Sequence, residues 1–465
     1  MLFDLDLKPS DTLAAIDDQG HQITYGKLVE NCNSFKTIIP ERELVFCLCD
    51  NSVGSLLGYI SFYENRDVSL LLGASIDKDL LSQLISIYQP SYLWLPEKYL
   101  NEFQLEVIVK QFDFVLVKTN YDSCQMHEDL SLLITTSGST GSPKLVRHKY
   151  GNIETNAKTI AKVFGWTKDE KAICILPIQY SMGLNVINSH LYSGGTVLLV
   201  SNNMTSPAFW NFIKENKGTS FTGVPFSYEI LHKLRFMRMD LPYLTTLAEG
   251  GGKLSDSTFA AFADFAEQSS KRFFATFGTT ETSARMSYLP PILATEKTGS
   301  IGKPIPGSEM FLIDDENKVI NEPNVEGELC YRGPNVTMGY AICREDLNLG
   351  EEFNGEYKTG DIAKRDDEGF YYIIGRKKRF LKLFGLRISL DQCETLITEK
   401  FNIECACAGD DKKMEIYITE EPLKSEIKEF ISQKTGLMTN LFNVNIIEYI
   451  PRNSSGKVNY RTLQL

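Results

Sequence analysis

The chain alternates between segments with a helical spacing of apolar residues and short runs that are almost continuously apolar. Between about residues 20 and 125, YGKLVENCNSFKTII has the helical spacing, whereas LVFCLCD and YLWLP are short apolar runs. Further along, NIETNAKTIAKVF predicts a helix, and LSLLITT, AICILPI, TVLLV and RFFATFG predict strands. Because short apolar runs are typical of buried strands, their alternation with helices predicts an α/β fold built in layers, with parallel strands.

The pattern changes at Gly299. From about residue 299 to 375, short alternating runs separated by glycine and proline predict a β-rich module. The basic cluster GRKKRFLK follows, and beyond it SLDQCETLITEKF and PLKSEIKEFISQK predict helices while MEIYIT and VNIIEYI predict strands. We therefore expect a large N-terminal domain of layered α/β subdomains with a β-rich module at residues 1–377. A small α+β domain is expected at residues 378–465.

Composition and charge narrow the classes of function. The chain has 465 residues, which is more than one ordinary core accommodates, and 60 acidic against 48 basic residues give a net charge of −12. Nucleic acid and an anionic membrane are therefore not expected as partners. An acidic N-terminus and the lack of a long apolar run predict neither a signal peptide nor a membrane helix. Ten cysteines without metal-type spacing predict a reduced protein of the cytoplasm.

A loop of small residues is the first candidate for chemistry. SGSTGSP occupies Ser137 to Pro143, directly after the predicted strand LSLLITT, and Lys144 follows. Glycines allow backbone N–H groups to approach an anion, hydroxyls add donors and the lysine adds a cation, so the loop can bind phosphates. The P-loop of ATPases does not fit, because that loop requires Gly-Lys followed by Ser or Thr. An ordinary polar surface turn remains the alternative at this point.

Five further motifs occur in order along the chain. They are FGTTET at Phe277 to Thr282, GELCYRGPNVTMGY at Gly327 to Tyr340, YKTGD at Tyr357 to Asp361, GRKKRFLKLFGLRI at Gly375 to Ile388, and SSGKV at Ser454 to Val458. Together with the glycine loop, this ordered set resembles the adenylate-forming superfamily of acyl-CoA synthetases, peptide-synthesis adenylation domains and luciferase-type enzymes. The resemblance covers roughly residues 130 to 462. It implies a small C-terminal domain that is mobile.

The resemblance implies where ATP binds. The glycine loop with Lys144 would hold the outer phosphates, Asp361 would accept hydrogen bonds from both ribose hydroxyls, and the Gly250 to Gly252 run would lie flat along the adenine. The complete set of residues implied in binding ATP or AMP is Ser137, Gly138, Ser139, Thr140, Gly141, Lys144, Gly250, Gly251, Gly252, Phe277, Gly278, Thr279, Asp361 and Arg376.

The resemblance also implies the catalytic groups. Glu281 would bind Mg²⁺, Thr280 would contact the α-phosphate, and Lys457 would bridge the substrate carboxylate and the α-phosphate while negative charge develops. Lys378 would be the hinge between two orientations of the small domain. After rotation, Lys382 and Gly385 would replace Lys457 and line the path of an incoming thiol. A basic surface run is the alternative interpretation of Lys377 and Arg379.

The substrate acid is less well defined. Where many acyl-CoA synthetases have a histidine after Leu-Pro, this chain has LPIQYSMGLN, and no acidic residue lies between Leu176 and Ser193 to pair with an α-ammonium group. An α-amino acid is therefore disfavoured, and an aliphatic, hydroxy-aliphatic or aromatic acid is expected. The candidate pocket residues are Tyr180, Met182, Gly183, Thr222, Gly223, Val224 and Phe277, although Met182 and Val224 are equally compatible with a core role.

Three hypotheses of function follow. The first is an ATP- and Mg²⁺-dependent ligase that forms an acyl adenylate and then a thioester with coenzyme A or with the phosphopantetheine of a separate acyl carrier protein. The second is an acyl-AMP ligase that stops at the adenylate or loads the acyl group only onto a carrier protein. The third is a non-catalytic nucleotide-binding homologue, which would be expected to lack Glu281, Asp361 or Lys457. No carrier-type segment follows Lys457, so a stand-alone ligase is expected.

Overall fold

We describe the fold from a computed structural model, which covers residues 2–103, 105–135, 144–383, 386–410, 412–453 and 456–463. The α-helices of these residues are α1 (Tyr25–Ile38), α2 (Val53–Glu64), α3 (Lys78–Tyr88), α4 (Asn152–Phe164), α5 (Ser181–Ser193), α6 (Pro207–Glu215), α7 (Pro225–Lys233), α8 (Asp256–Gln268), α9 (Leu390–Phe401) and α10 (Lys424–Thr435).

The strands up to residue 289 are β1 (Leu13–Asp17), β2 (Gln22–Thr24), β3 (Leu44–Cys49), β4 (Val68–Gly73), β5 (Tyr92–Pro96), β6 (Val107–Gln111), β7 (Phe114–Lys118), β8 (Leu130–Thr135), β9 (Leu145–Lys149), β10 (Lys171–Cys174), β11 (Thr196–Leu199), β12 (Ser220–Gly223), β13 (Thr246–Glu249), β14 (Arg272–Phe277) and β15 (Ser287–Leu289). Those that follow are β16 (Lys303–Pro304), β17 (Glu309–Ile313), β18 (Val319–Ile320), β19 (Gly327–Arg332), β20 (Gly339–Ala341), β21 (Glu356–Arg365), β22 (Tyr371–Arg376), β23 (Phe380–Leu383), β24 (Leu386–Ser389), β25 (Cys405–Asp410), β26 (Lys413–Ile418) and β27 (Phe442–Ile446).

Local sequence explains where many helices begin and end. Side-chain oxygens of residues just before the helix accept backbone N–H groups of the first turn, which satisfies donors that have no partner inside the helix. The residues with this role include Thr24, Ser52, Asp77, Ser206, Ser255 and Ser389. Helices α4, α5 and α10 end at Gly165, Gly194 and Gly436, each with the left-handed backbone that glycine adopts at little cost.

Two large sheets form the N-terminal part. The first has the strand order β20-β9-β8-β4-β3-β5-β7-β6, and the second has the order β16-β15-β14-β13-β12-β10-β11-β1-β2. Strands β14, β13, β12, β10 and β11 are parallel neighbours, as helical crossovers between them require. One apolar core between the sheets includes residues of α1, α2, α4 and α5, and separate cores cover the outer faces. The predicted layered α/β fold is confirmed.

A five-stranded antiparallel sheet, β18-β17-β19-β21-β22, follows. It occupies most of the β-rich region predicted at about residues 299–375. Two short strands of that region pair elsewhere, because β16 joins the second large sheet and β20 joins the first. The region is thus tied to both large sheets.

The last part of the chain has its own core. The hairpin β23–β24, helices α9 and α10 and the sheet β25-β26-β27 enclose buried side chains such as Leu383, Ile397, Ile416 and Ile431. This agrees with the predicted α+β composition after residue 378. The position of the domain boundary and its mobility stay predictions.

The cysteines and the helices bear on the class of protein expected from the sequence. All ten cysteines are free thiols. Within the described ranges, helices long and apolar enough to cross a membrane are absent.

Candidate active site

The candidate site lies at one edge of the second large sheet. Strands β10, β12, β13 and β14 are adjacent and parallel, so their carboxyl ends meet at the same edge. Candidate residues directly follow three of them: Val224 follows β12, Gly250 to Gly252 follow β13, and Gly278 to Glu281 follow β14. Tyr180 comes shortly after β10. Open parallel sheets bind ligands at this edge, so the topology itself brings together motifs that are far apart in sequence.

Asp361 and Arg376 are brought together by sheet register. They are direct partners on the antiparallel strands β21 and β22, and Arg376 Nε donates to Asp361 Oδ1 over 3.1 Å. Asp361 is 3% exposed, and its Oδ2 has no partner among the described residues. Burial raises the pKa of Asp361, against the opposing effect of Arg376. A buried carboxylate oxygen without a donor costs free energy, and two sugar hydroxyls would supply the missing donor.

Glu281 lies in a short 3₁₀-helix, Thr280–Thr282, after β14. Its Oε1 accepts a hydrogen bond of 2.8 Å from the hydroxyl of Tyr340, and the Lys144 ammonium lies 3.3 Å from the centroid of the Tyr340 ring. Tyr340 therefore links the lysine that ends the glycine loop to the proposed magnesium ligand. Tyr340 is the last residue of the motif GELCYRGPNVTMGY, but the sequence alone indicates no role for it.

Three further motif residues lie beside Glu281. Thr280 Oγ1 is 3.5 Å from the Ser181 hydroxyl at the start of α5. Gly278 permits the tight turn after β14, since a β-carbon there would lie 1.4 Å from the carbonyl oxygen of Ala284. Phe277 packs against the core of the five-stranded sheet.

The Gly250 to Gly252 run packs against the predicted acid pocket. A β-carbon on Gly251 would lie 2.5 Å from the Tyr180 hydroxyl and 3.3 Å from both Met182 and Val224. Gly251 also has φ of +81°, which favours glycine. Met182 and Val224 belong to a small apolar cluster with Leu176, so they are packed residues as well as candidate pocket residues.

Two glycines of the predicted pocket have packing roles. A β-carbon on Gly183 would lie 2.3 Å from the Pro177 carbonyl oxygen, and one on Gly223 would lie 2.8 Å from Ser227 Cβ. Their contribution to acid binding stays a prediction.

Lys457 reaches this edge from the small domain. Its ammonium lies 5.6 Å from the centroid of the Tyr180 ring, and its backbone N–H donates to Asn453 Oδ1 over 3.0 Å. Burial lowers the pKa of Lys457 to about 8, Arg376 lowers it further, and Asp361 and Glu281 act in the opposite direction. Gly456, directly before it, is docked on α7, since a β-carbon on Gly456 would lie 3.2 Å from Phe226 Cβ. Lys457 is thus inside the candidate site in this orientation of the small domain.

The hinge candidate is exposed and flanked by a polar network. The network consists of Arg376, Arg379, Asp391, Glu394 and Tyr460. Asp391 Oδ2 accepts the Arg376 backbone N–H over 2.9 Å, while Asp391 Oδ1 accepts from Arg379 Nε over 2.5 Å. Arg379 Nη2 donates to Glu394 over 2.6 Å, and the Tyr460 hydroxyl donates to Glu394 over 3.0 Å. Lys378 therefore lies between two residues held by one aspartate.

Some predicted residues cannot be placed. Ser137, Gly138, Ser139, Thr140 and Gly141 lie outside the described residues, and so does Gly385. Lys382 belongs to β23, but its side chain is likewise outside the description.

Sequence reasoning missed Arg285, which is 1% exposed and donates weakly to Thr222 Oγ1, 3.5 Å away. It also missed Glu249, the last residue of β13, which is 6% exposed. Each is the one charged residue in a stretch of apolar and small residues, TLAEGGG or SARMSYLP. Charged residues are rarely fully buried without a partner, so such an isolated charge was the available sequence evidence.

The described groups suit the reaction of two anions. Cations from Lys144, Arg376 and Lys457, the carboxylate of Glu281 and the free oxygen of Asp361 lie near the small apolar cluster that includes Met182 and Val224, with Tyr180 packed against it. Fixed cations stabilise negative charge that develops when a carboxylate attacks a phosphate. Within the described ranges there is no cluster of three metal-ligating side chains, so Glu281 would need water and phosphate oxygens to complete the coordination of a metal.

Comparison with known proteins gives a consistent result. The family model described as AMP-binding enzyme matches residues 6–341. An oxalate–CoA ligase of Arabidopsis thaliana is 28% identical over 354 residues, covering 72% of this chain and 67% of that protein. A 2-succinylbenzoate–CoA ligase of Listeria monocytogenes serotype 4b (strain F2365) is 27% identical over 476 aligned residues, covering 98% and 97%.

Solved structures share the fold. The o-succinylbenzoate CoA synthetase of Bacillus subtilis, in complex with its acyl-adenylate intermediate, superposes with a TM-score of 0.80 at 21% identity, covering 100% of this chain and 97% of that one. At this level of identity, the similarity supports the architecture described above.

Proposed function

Because this chain belongs to the family of AMP-binding enzymes, we propose that it activates a carboxylic acid with ATP and transfers the acyl group to a thiol. The carboxylate attacks the α-phosphate, pyrophosphate leaves, and the thiol then displaces AMP from the acyl adenylate. The protein is thus an AMP-forming acid–thiol ligase. The observation that carries the proposal is the convergence of Lys457, Arg376 and Asp361, on two domains, at the edge of one sheet.

ATP binding is supported by the free oxygen of Asp361. The Arg376 guanidinium occupies one oxygen of this carboxylate, and the ribose hydroxyls would donate to the other. The adenine would lie along Gly250 to Gly252. Ser137 to Gly141 and Lys144 would hold the outer phosphates, with Lys144 fixed in place over the Tyr340 ring.

Glu281 would hold Mg²⁺, which neutralises phosphate charge when it is bound. The Tyr340 hydroxyl donates to one oxygen of this carboxylate and so orients Glu281.

The acid would lie in the pocket lined by Tyr180, Met182 and Val224, with its carboxylate toward Lys457. The absence of acidic side chains from Leu176 to Ser193 supports an acid without an α-amino group. Aliphatic, hydroxy-aliphatic and aromatic acids are the candidates. The two similar ligases are named for oxalate and 2-succinylbenzoate, both of which carry two carboxyl groups.

Coenzyme A is the proposed thiol, because the similar proteins are named CoA ligases. For the second step, rotation at Lys378 would withdraw Lys457 and bring in Lys382 and Gly385. The phosphopantetheine of a separate carrier protein is the alternative acceptor. Ten free cysteines support a reducing compartment such as the cytoplasm.

The direct test is pyrophosphate release with ATP, Mg²⁺ and a panel of short, medium, hydroxy and aromatic acids. We expect release with at least one acid, and acyl-CoA when coenzyme A is added. Acyl adenylate that reacts with a carrier protein and not with coenzyme A would favour the alternative acceptor. Tight ATP binding without turnover of any acid would favour a non-catalytic nucleotide-binding protein.

The two half-reactions give a second test. Lys457→Ala should abolish adenylate formation while thioester formation from supplied acyl-AMP continues, because the ammonium acts only where charge develops in the first step. Lys382→Ala should impair mainly the second step.

A suitable control for both variants is Lys400→Ala, which changes an exposed lysine near the end of α9. Full ATP-dependent activity of Lys457→Ala would contradict the role given to this lysine.

A further inference from the structure

Arg285 is a buried cation without an ionic partner. It follows the 3₁₀-helix that carries Glu281, is 1% exposed, and its guanidinium lies 4.7 Å from the centroid of the Phe164 ring. The one hydrogen bond of the guanidinium within the described residues is the 3.5 Å contact from Nη2 to Thr222 Oγ1, and Nε has no partner there. A guanidinium has five N–H donors, so most of this group's capacity for hydrogen bonding is unused.

Arg147, which is also fully buried, shows what a structural role requires. Arg147 is 0% exposed and donates from Nε to the Tyr340 carbonyl oxygen over 2.9 Å. It also donates to the carbonyl oxygens of Leu349 and Gly350, and its Nη2 forms an ion pair of 2.7 Å with Glu352. The fold thus provides an acceptor for each of the three guanidinium nitrogens of Arg147. It leaves Arg285 with no carboxylate in ion-pair distance in the part of the chain described.

The titratable neighbours of Arg285 do not compensate its charge. Burial lowers the pKa of Arg285 to about 10, which leaves it protonated at neutral pH. Burial also lowers the pKa of His190 to about 4 and raises the pKa of Tyr228, so both are neutral. An uncompensated buried charge is costly, and the ring of Phe164 offsets only part of that cost.

The position of Arg285 indicates which ligand could accept its unused hydrogen bonds. Its hydrogen-bond partner Thr222 is a candidate pocket residue on β12. Two positions further along the chain is Val224, and Val224, Met182 and Tyr180 surround Gly251. Lys457 approaches the same group of residues from the side of Tyr180. Two cations therefore contact candidate pocket residues: Lys457 lies beside Tyr180, and Arg285 lies beside Thr222.

We propose that Arg285 binds a second acidic group of the substrate, so that this chain prefers dicarboxylic acids to monocarboxylic acids of the same length. The inference rests on the proposed ligase function. One carboxylate is activated beside Lys457, and the other accepts hydrogen bonds from the free donors of Arg285, a geometry that suits guanidinium and carboxylate. A monocarboxylic acid would bury an apolar end against the unpaired cation, and such mismatches reduce kcat/KM strongly.

The test compares matched acids, namely C3 to C6 α,ω-dicarboxylates and the monocarboxylates of equal length, by pyrophosphate release. For the wild-type protein we expect kcat/KM at least tenfold higher for the best dicarboxylate than for its partner. Arg285→Met should reverse this order, losing the dicarboxylate and gaining the monocarboxylate. Arg285→Gln serves as a second variant that keeps polar contacts without the charge, and it should also lose the preference.

A control is Arg332→Met, which removes an exposed arginine of β19 remote from the pocket and should keep the wild-type order. A preference of the wild-type protein for monocarboxylates, or an equal loss for all acids in both Arg285 variants, would overturn the inference. Thermal shift with each acid and ATP is measured in parallel. If no acid releases pyrophosphate, the proposed ligase function fails. The proposed role of Arg285 is then judged by the thermal shift: stabilisation by dicarboxylates of the wild-type protein, but not of the Arg285 variants, would support that role. No stabilisation of the wild-type protein by dicarboxylates would overturn that role.

Discussion

At the scale of single residues, Lys457 is defined by its surroundings. Its ammonium is buried beside Arg376, so its pKa falls to about 8, while Asp361 and Glu281 retain part of its charge. A lysine with this pKa is largely protonated at neutral pH and loses its charge within a range that is experimentally accessible. The activity that depends on this charge should therefore carry a pH dependence of its own.

We expect kcat/KM for adenylate formation to fall as the pH rises above about 8, because deprotonation removes the cation that stabilises the developing charge. Pyrophosphate release at low ATP concentration, followed from pH 6 to 10, measures this. Lys457→Arg should move the fall to higher pH, since a guanidinium remains protonated. The proposed role of Lys457 would be wrong if Lys457→Met had the same fall above pH 8.

Glu249 provides a residue-scale prediction of stability. Burial raises its pKa from 4.5 to about 8, and its Oε2 has no partner among the described residues. In the unfolded chain this carboxyl ionises near pH 4.5, whereas in the folded protein it stays protonated up to about pH 8. As the pH rises between these two values, the free energy of unfolding of the wild-type protein therefore falls by about 1.4 kcal/mol per pH unit because of this residue. Glu249→Gln removes the ionisation and should raise Tm more at pH 8 than at pH 5.

Thermal unfolding at the two pH values checks this, with Glu316→Gln at an exposed position as the control. An equal difference in Tm at pH 5 and pH 8 would show that Glu249 is not buried in its protonated form.

Residues within motifs could be predicted from sequence, whereas their partners could not. Asp361 and Lys457 are recognisable because their neighbours in sequence form motifs. Arg285 and Glu249 are identified only by what surrounds them, because burial and missing partners depend on contacts between distant strands. Tyr340 is intermediate, since it lies in a motif but gains its role through Lys144 and Glu281.

At the scale of elements, the segments on both sides of Lys378 are held by Asp391. Its carboxylate joins the backbone N–H of Arg376, before the hinge, to the side chain of Arg379, after it. Tyr460, three residues after Lys457, is attached to Arg379 in two ways. Both side chains donate to Glu394, and the Arg379 guanidinium lies 3.7 Å from the centroid of the Tyr460 ring. A rotation at Lys378 would thus move Lys457 together with Arg379.

Asp391→Ala should weaken the orientation that is seen here. The two lost hydrogen bonds are charge-assisted, so we expect about tenfold slower adenylate formation, corresponding to about 1.4 kcal/mol. Thioester formation from supplied acyl-AMP should change little. Separate measurement of the two half-reactions tests this. Asp391→Asn keeps an acceptor and should lose less, whereas an equal slowing of both steps would contradict a role of Asp391 at the hinge.

Element type was predictable, but pairing was not. Helices α4 and α9 match their apolar patterns closely, and the run AICILPI does contain β10. That strand ends at Cys174, because the following residues leave the sheet edge toward Tyr180. The partners of β16 and β20 depend on distant strands, and local periodicity carries no information on them.

At the scale of the whole molecule, a short interface holds the small domain on α7. Arg452 Nη2 lies 3.6 Å from Glu229 on α7 and 3.6 Å from Glu404 in the small domain, and its guanidinium lies 4.8 Å from the centroid of the Phe226 ring. Its Nη1 also donates to the Gly456 carbonyl oxygen over 3.0 Å, directly before Lys457. One side chain therefore connects the docking of the domain with the position of the catalytic loop.

Arg452→Ala should slow adenylate formation by roughly five- to tenfold, because partly exposed ion pairs and cation–π contacts are each worth about 1 kcal/mol or less. The thioester step from supplied acyl-AMP should stay within about twofold, since the proposed rotation breaks this interface before that step. Because Arg452 and Asp391 bias the same two orientations through different contacts, the double variant should lose more adenylation than either single variant. Impairment of both half-reactions by Arg452→Ala would instead mean that this interface persists throughout the catalytic cycle.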